Sequence, residues 1–265
     1  MPGLNQLLPV TNTVNQLSLY QGNTSLIPEY RHNANIAWSI FDAFSFTSFF
    51  TRLSLRYTKD KISMSQTVNE DLTKINTPVN VPYNYSLSSY NNFSTPIRAL
   101  GIKVNARLTE SWSKGISVVN SEDNIQTVFV HSLDVNLENR RQDKVDIRIG
   151  GSVTVTDSKF SIAEAMNNVY FNTTFYADIY FTPNDHWNFG TEANIVNYNA
   201  ESFEEAVSIP SIKASIRYFF GKGNKTGIIL QGYDLLNKFS NFQYTNGPNF
   251  IMEQENNTIG RLCDA

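Results

Sequence analysis

Arg52, Arg56, Lys103, Arg107, Asp134, Glu138, Asp146, Arg148, Asp178, Glu192, Lys213 and Arg217 all fall inside runs where polar and apolar residues alternate. Fixed charges of both signs, set at every second or fourth place, make and break no covalent bonds. They offer ion pairs and hydrogen bonds to a polar solute, to a polar domain, or to one another across neighbouring strands. The plainest of these roles is to solvate a wet surface while pairing with one another.

Residue sets for bond-making chemistry are missing. The sequence holds no G-x-S-x-G, no H-E-x-x-H and no Ser/His/Asp set at a known spacing. His32, His131 and His186 are far apart and in no metal-ligand spacing. Cys263 stands alone, so neither a disulfide framework nor a cysteine zinc site is expected. His131 falls on an apolar face between Phe129 and Leu133, where a half-polar ring suits a membrane interface better than a metal. Asp60, Glu70, Asp71, Glu122, Asp123, Glu201, Glu204 and Glu205 lie in polar links, where solvated charge is ordinary and calcium is the cation they would suit. The expectation is a protein that is not an enzyme and needs no cofactor.

The totals agree. A chain of 265 residues, 41% hydrophobic and 13% aromatic, has ample material for one or two domains. A net charge of −3 leaves no nucleic-acid footprint. No apolar run is long enough for a transmembrane helix. The start, MPGLNQLLPV, lacks the basic and apolar regions of an export signal.

The elements that carry the charges are strands. In 145–156, Val145, Ile147, Ile149, Val153 and Val155 alternate with Asp146, Arg148, Ser152, Thr154 and Thr156. A period of two over such lengths marks strands with two chemically different faces. About ten are expected, at 32–41, 47–60, 79–94, 99–113, 124–138, 145–157, 168–182, 187–198, 208–220 and 226–236. Short links near 41–46, 95–99, 139–144, 182–186 and 221–225 alternate with long polar links near 61–78, 113–124, 157–168 and 198–208. Antiparallel neighbours joined in this way put short turns at one end and long loops at the other, as outer-membrane barrels do.

Alternation alone leaves open which face meets water. A soluble β-clam or sandwich hides its apolar face, whereas a membrane barrel turns that face to lipid. Long strands, mid-strand charges, and Phe41, Phe44, Phe46, Phe93, Phe181, Trp187, Phe219 and Phe220 flanking the short turns favour lipid outside and a polar lumen inside. The fold expected is all-β: an antiparallel up-and-down transmembrane β-barrel, incomplete here. The twelve charged residues then face the lumen.

Four segments carry a family resemblance. GNTSLIPEY at 22–30 resembles the G-N-P-x-L-x-P-E segment of TonB-dependent outer-membrane receptors, with Thr24 where proline is usual. YDLLNK at 233–238 resembles a segment near the end of the same barrels, and NTIGR at 257–261 resembles the approach to their last strand. NTPVNVPYNYSLSSYNNFSTPIRALGIKVN at 76–105 is similar to Bacteroidetes-type members. The resemblance implies a plugged barrel of about 22 strands, of which residues 1–265 would be the C-terminal portion, with plug domain, export signal and last strand outside them. It implies active uptake of a glycan, peptide or metal chelate across the bacterial outer membrane. Its partners would be lipid, the plug, the TonB complex and a surface lipoprotein. The other readings are a soluble β-clam or sandwich that binds a ligand, and an outer-membrane barrel without TonB-coupled transport.

Overall fold

The structure is a computed structural model and describes residues 1–9, 11–12, 18–69, 73–162, 164–201, 205–247, 250–257 and 262–264. The strands run in the order β1 (Thr11–Asn12), β2 (Ser18–Gln21), β3 (Tyr30–Asp42), β4 (Thr47–Val68), β5 (Lys74–Ile97), β6 (Ile102–Val119), β7 (Glu122–Asn139) and β8 (Val145–Phe160). They continue as β9 (Asn168–Asn184), β10 (Trp187–Ala200), β11 (Val207–Phe220), β12 (Thr226–Tyr233), β13 (Ser240–Gly247), β14 (Phe250–Asn257) and β15 (Leu262–Asp264). A short helix, Leu4–Leu7, precedes them.

From β3 to β12 each strand pairs antiparallel with the next, forming one up-and-down sheet. β15 continues it beside β12, and β2 joins β5 in parallel at Ser18↔Lys74. The sheet is open, with β3 at one side, exposed at every position. β13 and β14 form a separate hairpin.

Exposure in this sheet is inverted relative to a water-soluble strand. Along β7, Leu133, Val135 and Leu137 are 41%, 40% and 43% exposed, while Ser132, Asp134, Asn136 and Glu138 between them are half-buried. Ile149, Phe175, Ile179, Phe189 and Ile216 continue the exposed apolar surface over the neighbouring strands. Among the described residues the buried apolar side chains are Leu26, Val81, Ile116, Phe160, Ala200 and Ile209. Among the described residues no second sheet covers the apolar face, so they do not form the core of a soluble clam or sandwich. A sheet in lipid needs no such core, because hydrocarbon solvates the outward side chains.

Several strands outrun their expected limits. β4 continues to Val68 and β5 starts at Lys74, so most of the expected link 61–78 is strand. The expected loop 113–124 is a two-residue turn, because β6 ends at Val119 and β7 begins at Glu122. Asn120 and Ser121 both take left-handed conformations, at φ 50° and 69°, which is the turn that matches the twist of antiparallel strands. The strict alternation of short and long links therefore fails here. Polar residues such as Lys114 and Ser117 do not end a strand; they end the need for one face to be greasy. Glu122, Asp123 and Asp60 are strand residues rather than loop residues.

The opposite turns use side-chain caps. Asp42 accepts the N–H of Phe44 at 3.0 Å and of Ser45 at 3.4 Å. Asn184 accepts the N–H of His186 at 2.9 Å and of Trp187 at 3.2 Å. Asn and Asp in such places supply the local bonds that a tight reversal leaves open.

Candidate functional site

Strand register decides which charged residues meet. Lys103 on β6 stands opposite Glu138 on β7, and Glu138 opposite Arg148 on β8. Arg148 faces Asp178 on β9, Asp178 faces Glu192 on β10, and Glu192 faces Lys213 on β11. Six of the twelve expected residues thus form one row across six adjacent strands. Three cations and three anions leave the row formally neutral.

Direct contacts join the row into three pairs. Lys103 Nζ lies 3.7 Å from Glu138 Oε2. Arg148 donates from Nε to Asp178 Oδ2 at 2.8 Å and also contacts that oxygen through Nη2. Lys213 Nζ reaches Glu192 Oε2 at 3.4 Å, and the Tyr180 hydroxyl donates to Glu192 Oε1 at 2.6 Å. Opposite charges alternate at four of the five steps. At Asp178 and Glu192 two anions adjoin, each held by its own cation.

A second polar line runs beside the row. Ser94 Oγ donates to Asn105 Oδ1 at 2.8 Å, Asn105 Nδ2 to Asn136 Oδ1 at 2.8 Å, and Asn136 Nδ2 to Asp134 Oδ1 at 3.3 Å. The Tyr176 hydroxyl completes it, donating to Asp134 Oδ2 at 3.0 Å, and the Arg148 guanidinium lies 5.5 Å from the Tyr176 ring centroid. Asp146 accepts from Gln142 Nε2 at 3.0 Å, and these two, with Glu138, Arg148, Asp178 and Tyr180, line a cavity of about 270 Å³.

Two glycines make room for the tyrosines. A Cβ at Gly150 would come within 2.7 Å of Tyr176, and one at Gly190 within 2.9 Å of the Tyr180 ring. Each glycine is the register partner of the tyrosine it admits. The rings therefore lie flat over the neighbouring strand, and their hydroxyls reach the carboxylates.

The other charged residues share this face but not the row. Arg56 donates to Asn33 Oδ1 at 3.1 Å, and Arg52 lies over the Phe50 ring at 5.7 Å. Arg107 is the register partner of Asp134 and Asn92, and Arg217 that of Asn188 and Ile229. Sequence reasoning missed the part played by Tyr176 and Tyr180. Their even numbers in β9, where odd positions carry Phe171, Phe175 and Ile179, were the available signal.

It also missed Glu110. This residue stands opposite His131 on the apolar face and pairs with its Nδ1. Among the described residues no group of His, Cys, Asp or Glu is gathered closely enough to hold a metal. Glu70, Asp71, Glu204, the side chain of Cys263 and most of NTIGR lie outside the described residues.

The segments that carry the resemblance are tied into the wall. In 22–30, Asn23 Nδ2 donates to the Pro78 carbonyl at 3.0 Å, and Asn80 Oδ1 accepts the Ile27 N–H at 2.9 Å. In 233–238, Asp234 accepts the N–H groups of Lys238 and Phe239, each at 3.1 Å. The strand expected at 226–236 stops at Tyr233, and Asn237 lies in this turn beyond it, with φ 52°.

The profile of the outer membrane protein beta-barrel family matches residues 1–261. The chain belongs to the outer membrane protein beta-barrel family. No curated protein and no solved structure matches it significantly. Membership explains the inverted exposure: the family works in the bacterial outer membrane, and its apolar face meets lipid.

Proposed function

We propose that the chain is the C-terminal portion of the barrel of a TonB-dependent receptor, and that the polar face lines the path of a nutrient taken up from outside. The observation that carries this reading is the row from Lys103 to Lys213. It places six compensated charges across adjacent strands on the face turned away from lipid. Paired charges of both signs suit the polar lumen of an outer-membrane barrel, whether water-filled or plugged. The resemblance of 22–30 and 233–238 to receptor segments supports the coupling to TonB.

In this reading the longer ends of β4 to β7 face the outside, where ligand is captured. The remaining charges, Arg52, Arg56, Arg107, Asp134, Asp146 and Arg217, wet the lumen or touch a plug domain. A glycan, a peptide or a metal chelate fits a wall with balanced charge and many hydroxyl and amide groups. Binding and passage, not catalysis, are the chemistry such a wall offers.

The test uses the full gene product, inserted in the outer membrane of a host with an intact TonB system. Site-specific photo-cross-linking should give an adduct with TonB, and uptake of a nutrient that requires this protein should stop when TonB is removed. A correctly inserted barrel with no adduct, and uptake indifferent to TonB, would leave a barrel without energised transport.

A further inference from the structure

β13 and β14 do not join the wall. They pair with each other over Ser240↔Asn257 to Gly247↔Phe250 and form their own sheet. The hairpin nevertheless lies against the polar face. Tyr244 stacks on Tyr170 with centroids 4.6 Å apart and planes 5° from parallel. Phe242 packs on Tyr198 at 4.9 Å. Tyr170 and Tyr198 lie 6.3 Å apart, so four rings form one cluster. Asn168 Nδ2 adds a hydrogen bond to the Tyr244 hydroxyl.

The wall residues in this cluster mark the place. Tyr170 is near the start of β9 and Tyr198 near the end of β10, at the end away from the short turn that joins these strands. Both stand on the face of the charged row, since Tyr170 is two register pairs from Asn172 and Tyr198 pairs with Asn172. Beneath Tyr244 lies a recess of about 320 Å³, lined among others by Gln126, Thr156 and Ser158. Ser158 is buried in the structure as it stands.

The hairpin is tied to the wall on both sides, for β15, which follows β14, pairs with β12 over Gln231↔Asp264 to Tyr233↔Leu262. After β12, the Asp234 carboxylate closes a turn, and the Leu235 N–H donates to the Ile212 carbonyl at 2.9 Å. Beyond Phe239 the hairpin has no backbone ladder to the wall among the described residues. Flat ring contacts slide and part more readily than a ladder of backbone hydrogen bonds. A root fixed on both sides and a hairpin held down by ring contacts at Phe242 and Tyr244 are the parts of a hinged cover.

We propose that the β13–β14 hairpin is a gate over the polar face, latched by Tyr244 on Tyr170 and Phe242 on Tyr198, and that its release uncovers the recess at Ser158. The proposal rests on the polar face being the inner wall of the barrel, and not on TonB coupling, so the two tests fail independently.

The full gene product in the outer membrane of intact cells, with Cys263→Ser, is given Ser158→Cys and treated from outside with a membrane-impermeant maleimide. Heat-modifiable gel migration confirms that each variant is folded. Labelling should be slow with the latch intact and at least tenfold faster with Tyr244→Ala and Phe242→Ala together. Tyr244→Phe, which keeps the ring, should stay slow. Thr156→Cys serves in the same way if Ser158→Cys does not fold. Equal rates in folded proteins with and without the latch, fast or slow, overturn the proposal, as they would if β13 and β14 were simply further strands of the wall.

Discussion

Glu110 on β6 and His131 on β7 face each other across the apolar side of the sheet and are joined through His131 Nδ1. Leu108 and Leu133 lie on one side of them, and Trp112 and Phe129 on the other, with the Phe129 and His131 rings stacked at 6.0 Å. A polar pair on a lipid-facing surface satisfies itself, because lipid offers no other partner.

Removing half of this pair should therefore cost more than removing both halves. Glu110→Leu alone is expected to lower stability by about 1–3 kcal/mol, while Glu110→Leu with His131→Leu is expected to come close to the parent or above it. Urea unfolding of the full gene product in lipid vesicles checks this. A double variant as unstable as the sum of the singles would contradict it.

Gly190→Val should push Tyr180 off the wall, since a Cβ there meets Ser215 Oγ at 2.7 Å and the Tyr180 ring at 2.9 Å. The expected loss is about 1–3 kcal/mol from overpacking, together with the Tyr180 to Glu192 bond. Tyr180→Ala in the same chain should recover part of the loss. The temperature of the gel-mobility shift reports it.

Asn120→Val should destabilise the β6–β7 turn by about 1–2 kcal/mol, because a β-branched residue resists positive φ. Asn120→Gly should be close to neutral. Unfolding midpoints of the two variants separate this backbone effect from the loss of the bond that Asn120 Oδ1 accepts from the Val68 N–H at 2.9 Å, which both substitutions remove.

Glu29 lies in the link before β3 and gives the fold a pH-dependent tie. Burial pushes its pKa up, but hydrogen bonds from Lys61 Nζ at 2.7 Å and the Ile62 N–H at 2.9 Å, with the charges of Lys61 and Arg31, hold it below its ordinary 4.5. A depressed carboxylate stabilises the fold fully above that ordinary value, and its contribution disappears as pH falls through the lower folded value. Hydrogen exchange at the Ile62 amide, corrected for intrinsic rates, should accelerate on acidification through this window. With Glu29→Gln the acid step should vanish.

Much of this was legible in the residues. The two-residue period of β7 to β9 holds over most of each strand because one medium touches each face, so both the strands and the common face of the twelve charges can be read from position alone. The row cannot. Whether Arg148 meets Asp178 or passes it depends on the length of each turn, and Asn120–Ser121 shows how poorly polar composition reports a turn. β4 to β6 outrun the alternating segments because strands that clear the bilayer have water on both sides. Tyr244 on Tyr170 joins segments far apart in the chain, which no local pattern announces.

The 24 residues of β5 have a physical consequence for whatever approaches the cell. At about 3.3 Å per residue and a tilt of about 40°, such a strand rises about 60 Å, twice the hydrocarbon thickness of about 30 Å. The surplus is a stiff parapet rather than a fringe of tethers. In the proposed orientation, a phage, an antibody or a nutrient meets hydrogen-bonded masonry well above the lipid, and a tag inserted in the β6–β7 turn between Asn120 and Ser121 would have to pry open a corner rather than lengthen a slack cord.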